Sequence, residues 1–268
     1  MGTIDIFMRR ILDYAGMFPP VKLPLADALR NFEEYQHHER ADYLSRFVIP
    51  AGQVPDLPSS KRPQLTVVVK PAEINLSLQE LEADSIEVTW DEVSLTLLES
   101  SFPGKIFIEL DWRKPYERQM AAISKHAPRF GAKLRTGGVT PESIPPSKAI
   151  AEFLVSAAQY KLPLKATAGL HVPVPNDNPE IGARMHGFLN FFCAGFLAFS
   201  GRGDREAITN VLEDFSYEDF SFGEHSMRCG NFEFSKQEIE QLRSRWLLSF
   251  GSCSFLEPIE HLENHGLI

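Results

Sequence analysis

Alternation within four short β-type runs constrains this chain more than any other feature. Successive side chains of a strand point to opposite faces. In Lys105–Asp111, Ile106, Ile108 and Leu110 share one face, while Phe107, Glu109 and Asp111 share the other. In Gly131–Thr136, Ala132 and Leu134 oppose Lys133 and Arg135. In Leu162–Thr167, Leu164 and Ala166 oppose Lys165 and Thr167; in Ile86–Trp90, Ile86, Val88 and Trp90 oppose Glu87 and Thr89. Each run is therefore apolar on one side and carries reactive groups on the other. In a closed parallel barrel the apolar side meets the surrounding helices. The other side faces an interior whose C-terminal end hosts active sites. The alternation thus gathers Glu87, Glu109, Asp111, Lys133, Arg135, Lys165 and Thr167 around one cavity.

The rest of the chain supports that architecture. Two further β-type runs, Arg46–Pro50 and Leu65–Val69, precede the four. Helical patterns fall at Ala26–His38, Leu76–Ala83, Tyr116–His126, Ser147–Tyr160, Gly182–Phe199, Arg205–Asp214 and Lys236–Phe250. Such alternation implies parallel βαβ units. A first strand near Leu12–Phe18 and a last near Phe220–Glu224 bring the count to eight. At 268 residues the chain suits one (β/α)8 barrel, which needs about 250 residues. The expectation is therefore a single barrel domain over 1–268, with an open doubly wound parallel sheet as the alternative. No linker rich in Gly, Ser or charge divides the chain; Gly52–Arg62 and His171–Pro179 read as proline-punctuated loops.

Charge and cysteine content narrow the class of function. A net charge of −9 argues against general binding to nucleic-acid backbones, without excluding a local basic cluster that receives a small anion. The three cysteines, Cys193, Cys229 and Cys253, are far apart and form no CxxC pair, which fits a reducing compartment. The N-terminus lacks a secretory pattern. The longest apolar run, Phe188–Phe199, is too short to span a bilayer and reads as a buried helix. These features predict a cytoplasmic protein without nucleic-acid or membrane partners; a homo-oligomer is compatible with them.

Buried charges cost several kcal/mol each unless paired, so the inward cluster is either a site or a closed salt-bridge network. A lysine with an unperturbed pKa of roughly 10.4 is a poor nucleophile at neutral pH. Desolvation and a neighbouring cation both lower that value. Lys133 and Lys165 on adjacent strands, with Arg135 nearby, meet that description. A free amine can add to a carbonyl and form a Schiff base, and Glu87 or Glu109 would relay protons.

The residues here carry a resemblance. The run Lys133-Leu-Arg-Thr136-Gly137-Gly138 resembles the K-x-x-T-G motif on strand 6 of deoxyribose-phosphate-type class I aldolases. Lys165-Ala-Thr-Ala-Gly169-Leu170, 32 residues further on, is similar to their K-A-S-G-G-I pattern on strand 7. Ile108-Glu109 resembles their V-I-I-E-T strand, and Glu87 falls near their strand-4 aspartate. The likeness spans Ile86 to Leu170, about a third of the chain. It implies that Lys133 forms the Schiff base and that Lys165 tunes it. It also implies a lyase, or related carbonyl enzyme, acting on a small anionic carbonyl or phosphate-bearing substrate without a cofactor. The phosphate loop of those aldolases has no obvious counterpart, unless Gly251-Ser252-Cys253-Ser254 returns to the barrel mouth.

Several residues complete the candidate set. Asp111, Arg135, Thr136, Thr167, Gly169 and His171 are expected to contact substrate, His171 because it follows the turn after its strand. Glu224-His225 would face the mouth if Phe220–Glu224 is the last strand. His186 on a helix face is more often structural. Asp13 and Tyr14, in a short strand running into a rigid turn, are readable as substrate contacts, while Gly16, Pro19 and Pro20 there have a sufficient turn explanation. Cys253 is readable as a thiol or as a small core residue, and Ser254–Glu257 matches a capping box. Glu109, Asp111, His171 and His225 are the conceivable metal ligands, but no local ligand pattern supports them and the nearby cations oppose a metal. Two other functions compete with the Schiff base. One is a non-covalent phosphate or carboxylate site on Lys133, Arg135 and Lys165, and the other is a catalytically silent interaction module.

Overall fold

The computed structural model describes residues 2–58, 62–70, 73, 78–90 and 95–268. Eight parallel strands close into a barrel. In chain order they are β1 (Leu12–Tyr14), β2 (Leu44–Pro50), β3 (Leu65–Val69), β4 (Ser85–Thr89), β5 (Lys105–Leu110), β6 (Phe130–Arg135), β7 (Leu164–Thr167) and β13 (Leu247–Ser252). They run around the barrel as β1-β13-β7-β6-β5-β4-β3-β2 and back to β1. The fold is thus a (β/α)8 barrel, and closure excludes the open doubly wound sheet. Every strand but one follows its sequence neighbour, as short right-handed crossovers require.

The exception corrects the sequence reading. Phe220–Phe222 (β10) is not the eighth barrel strand; it pairs antiparallel with Ser226–Cys229 (β11), which pairs with Phe232–Ser235 (β12). The eighth strand, β13, lies inside the segment read as helix Lys236–Phe250. There α8 (Lys236–Arg245) stops early, and Leu247–Ser252 is extended between β7 and β1. A second insertion, β8 (Asn176–Asn178) with β9 (Ala183–Met185), forms a hairpin after β7. Part of the predicted helix Leu76–Ala83 lies outside the described residues; Leu78–Glu80 is a 3₁₀ turn.

Helices α1 (Thr3–Met8), α2 (Leu25–Tyr35), α3 (Leu95–Ser101), α4 (Glu117–Ser124), α5 (Ser147–Gln159), α6 (Phe188–Ser200), α7 (Arg205–Asp214), α8 and α9 (Leu256–Asn264) complete the chain. The apolar strand faces bury against them: Ile86, Val88, Ile106, Ile108, Ala132, Leu134 and Leu164 are all at or below 1% exposed. Helix α2 places Phe32 against Phe47 of β2, ring centroids 5.5 Å apart. Helix α6 is apolar all round because it is buried on all sides, with ten of its thirteen residues buried. It lies so close to β13 that a Cβ on Gly195 would overlap the Leu247 side chain. Among the described residues, no helix is long and apolar enough to cross a membrane.

Candidate active site

The inward faces of β4, β5, β6, β7 and β1 build one line of alternating charge. Arg135 Nε lies 3.2 Å from Glu109 Oε1, and Glu109 Oε2 lies 2.9 Å from Lys133 Nζ. Lys133 Nζ donates to Glu87 Oε2 at 2.5 Å, and Lys165 Nζ donates to the other oxygen of the same carboxylate at 2.5 Å. Lys165 Nζ is also 2.6 Å from Asp13 Oδ2. Asp13 ends the line, accepting from Ser249 Oγ at 2.8 Å and from the Arg46 backbone N–H at 3.2 Å. Three cations and three carboxylates thus alternate from the rim inward. Exposure falls along the line, from 51% for the Arg135 side chain to 0% for Asp13.

The registers explain why these side chains meet. Glu109 pairs across the sheet with Lys133, and Lys133 with Lys165. Period-2 alternation then keeps all three on the interior. Phe107, two residues before Glu109 on β5, forms the floor. Its ring centroid lies 5.1 Å from Lys165 Nζ. Gly131 makes room for that ring, since a Cβ there would sit 2.7 Å from Phe107 Cε1 and 2.6 Å from the Pro163 carbonyl oxygen.

Electrostatics in the line run against the tuning expected from the sequence. Burial alone would raise the Glu87 carboxyl, yet Lys133 and Lys165 outweigh it and hold it down to about 2. Glu109 is likewise lowered: burial pushes it up, and Lys133 and Arg135 pull it further down. For Lys133, burial favours the neutral amine, but Glu87 and Glu109 more than offset it and the pKa rises above the ordinary lysine value. A second lysine nearby was expected to lower it. The charge of Lys165 is instead taken up by Glu87 and Asp13, which leaves Lys133 an ammonium in the resting protein.

The other candidates divide. Asp111 follows the end of β5, is exposed, and pairs with Arg113 at 3.5 Å, outside the line. Thr136 is fully buried. Its Oγ1 donates to the Ala168 carbonyl at 2.6 Å. That bond fixes a turn in which Ala168 (φ 64) and Gly169 (φ 81) are both left-handed, a conformation costly for alanine. Thr167 is half-buried beside Gly251. Glu224 and His225 lie in the β10–β11 hairpin next to the start of α1, not at the mouth. His186 is buried and bonded to the Pro145 carbonyl at 2.7 Å, a structural role. Among the described residues no three His, Cys, Asp or Glu side chains gather as a metal site.

His171 acquires partners that its local sequence does not reveal. Its Nδ1 lies 2.8 Å from Glu257 Oε2, and its Nε2 lies 3.8 Å from Cys253 Sγ. Burial works against the imidazolium, but bonds to Cys253 and Glu257 prevail and raise the pKa to about 10. Cys253 is half-buried, while Cys193 and Cys229 are buried. The segment Gly251–Ser254 does return to the barrel mouth, because β13 ends there. Its hydroxyls are engaged: Ser252 Oγ donates to the Ser254 carbonyl at 2.6 Å, and Ser254 Oγ accepts from the Glu257 N–H at 3.1 Å.

Asp13 and Ser249 were not among the predicted cluster. Asp13 had a signal, a lone acid between the apolar Leu12 and Tyr14, which alternation turns inward. Ser249 had none once its strand was read as helix. Compared with protein-family models, curated proteins and solved structures, the chain matches none, so its function rests on the geometry of this site.

Proposed function

We propose that the barrel is a class I aldolase-like carbon–carbon lyase, or a related Schiff-base carbonyl enzyme, acting on a small anionic substrate. The observation that carries this reading is Lys133, held between Glu87 and Glu109 in the part of the line that leads to the exposed Arg135, whereas Lys165 is closed in more deeply between Glu87 and Asp13. Once deprotonated, the Lys133 amine adds its lone pair to the substrate carbonyl carbon, and the oxygen takes up a proton. Loss of water from this carbinolamine gives an iminium. A base takes the proton of the hydroxyl on the β-carbon, the Cα–Cβ bond breaks with its electron pair moving into the iminium, and the β-carbon leaves as an aldehyde. Protonation of the enamine at carbon and addition of water then release the second carbonyl product and return the amine. Glu87 and Glu109 lie within bonding distance of Nζ and are placed to carry protons in these steps. Arg135, the one cation of the line that reaches solvent, is placed to meet the substrate's anionic group.

The raised pKa of Lys133 sets the pH dependence. Below that pKa the free amine is a small fraction that grows about tenfold per pH unit. Borohydride with a panel of aldehydes and ketoacids is therefore expected to leave a reduced adduct on Lys133, with a trapping rate that climbs steeply between pH 7 and 9. Mass spectrometry that finds no adduct, or the same adduct after Lys133→Met, sinks this function.

A second reading has its own observation. Lys133 and Lys165 are already fully paired, as a closed structural network requires. The same pairing weighs against a non-covalent phosphate or carboxylate site here, because three carboxylates occupy the cations.

A further inference from the structure

A second concentration of cations lies at the opposite end of the barrel. A cavity of about 390 Å³ opens there among Arg9, Arg10, Arg46, Lys105 and Arg243, with Glu240 as the single acid in its lining. These residues come from the turn before β1, the starts of β2 and β5, and α8, all at the N-terminal end of the strands. Phe107 forms the inner wall, the same ring that floors the lysine site. In a chain of net charge −9 this concentration of positive charge is local and unbalanced.

Among the described residues Arg10, Arg46, Lys105 and Arg243 make no ion pair. Arg243 is 7% exposed and donates to the carbonyls of Phe7 (2.7 Å), Arg9 (3.0 Å), Leu247 and Leu248 (2.8 Å). Those bonds use four of the five N–H groups of a guanidinium. Carbonyls satisfy donors but leave the unit charge; burial works against it, and the more distant Asp13 carboxylate only partly offsets that. Arg46 Nε is buried with no hydrogen-bond partner. Arg10 is held in the left-handed region at φ 51 while its guanidinium bonds Gln64. Lys105 Nζ reaches only the Pro128 carbonyl, at 2.7 Å.

We propose that this cavity binds a small phosphate-bearing anion, held by Arg46, Lys105, Arg10 and the spare donor of Arg243. Several guanidinium forks around one half-open cavity suit a multiply charged oxyanion better than a single carboxylate. The site is distinct from the lysine line and does not depend on the reaction assigned to it. Active sites of these barrels lie at the C-terminal face, so a ligand at the other end is regulatory or stabilising.

Pyrophosphate, titrated calorimetrically at fixed ionic strength, is the probe. One pyrophosphate per chain is expected, with affinity at least tenfold weaker in Arg46→Gln and in Lys105→Gln and unchanged in Lys133→Met. Lys105 is exposed, so its variant keeps the test readable if Arg46→Gln folds poorly. The proposal is overturned by absence of binding, or by equal affinity in the wild type and Lys105→Gln. It is also overturned by loss of binding in Lys133→Met alone, or by citrate binding as tightly as pyrophosphate.

Discussion

A single carboxylate sets the chemistry of the mouth. Glu87 accepts from Lys133 and Lys165 through separate oxygens, so what happens to one lysine is felt by the other. Asp13 governs how the two share it. Neutralising Asp13 leaves Lys165 dependent on Glu87 alone, which weakens the hold of Glu87 on Lys133 and lowers the Lys133 pKa. Asp13→Asn is therefore expected to raise borohydride trapping at pH 7.5 several-fold. Breaking a buried pair from one side costs about 3–5 kcal/mol. For a chain of this size that corresponds to a fall in Tm of about 6–20 °C, at about 2–4 °C per kcal/mol. Unchanged stability would mean that the Lys165–Asp13 contact contributes nothing. Alternation made Glu87, Glu109, Lys133 and Lys165 legible from sequence, because each sits between apolar neighbours on a strand several residues long. Asp13 was harder to assign, because its strand has only three residues and a turn already explained its neighbours. The contacts of His171 were invisible, since Cys253 and Glu257 lie more than eighty residues away in the chain.

At the level of elements, six barrel strands could be read from their β-branched and alternating composition, the first lies within the expected Leu12–Phe18 as the shorter Leu12–Tyr14, and one could not be read. Leu247–Ser252 follows directly on a strongly helical sequence with a Ser235–Glu238 capping box, and nothing local marks where the helix stops. Its extended form is imposed by neighbours: Arg243 ties its first carbonyls, and β7 and β1 pair with both edges. The false eighth strand, Phe220–Phe222, has the right composition but finds antiparallel partners next door, which local pairing favours. Helix α6 then fits over the true strand at Gly195. Gly195→Ala would force its new methyl into Leu247 in a packed core, an overpacking worth about 1–3 kcal/mol. Chemical denaturation should register that loss. Leu247→Ala in the same chain should return part of it; a Gly195→Ala variant as stable as wild type would contradict the close approach.

Over the whole molecule, charge is sorted by end. The C-terminal mouth carries its cations in alternation with acids, and the N-terminal cavity carries them nearly alone. The mouth also holds a pH-sensitive contact between two elements far apart in sequence. His171, after β7, has its pKa raised to about 10 from an ordinary 6.5, in part by Glu257 on α9. A raised pKa contributes stability that is complete below about pH 6.5 and is lost as pH climbs through 10. Wild-type Tm should therefore decline across that window more than the Tm of Glu257→Gln, which lacks the carboxylate. Parallel curves for the two proteins would remove the Glu257–His171 contact as the source.

The Phe107 ring gives the barrel a consequence beyond either site. With the Lys165 amine over its ring and the N-terminal cavity also lined by it, it acts as a partition rather than as filling. Two occupants could then reside in one barrel without competing for room. Whatever one of them does to the tilt of that ring is delivered straight to the ammonium on the far side.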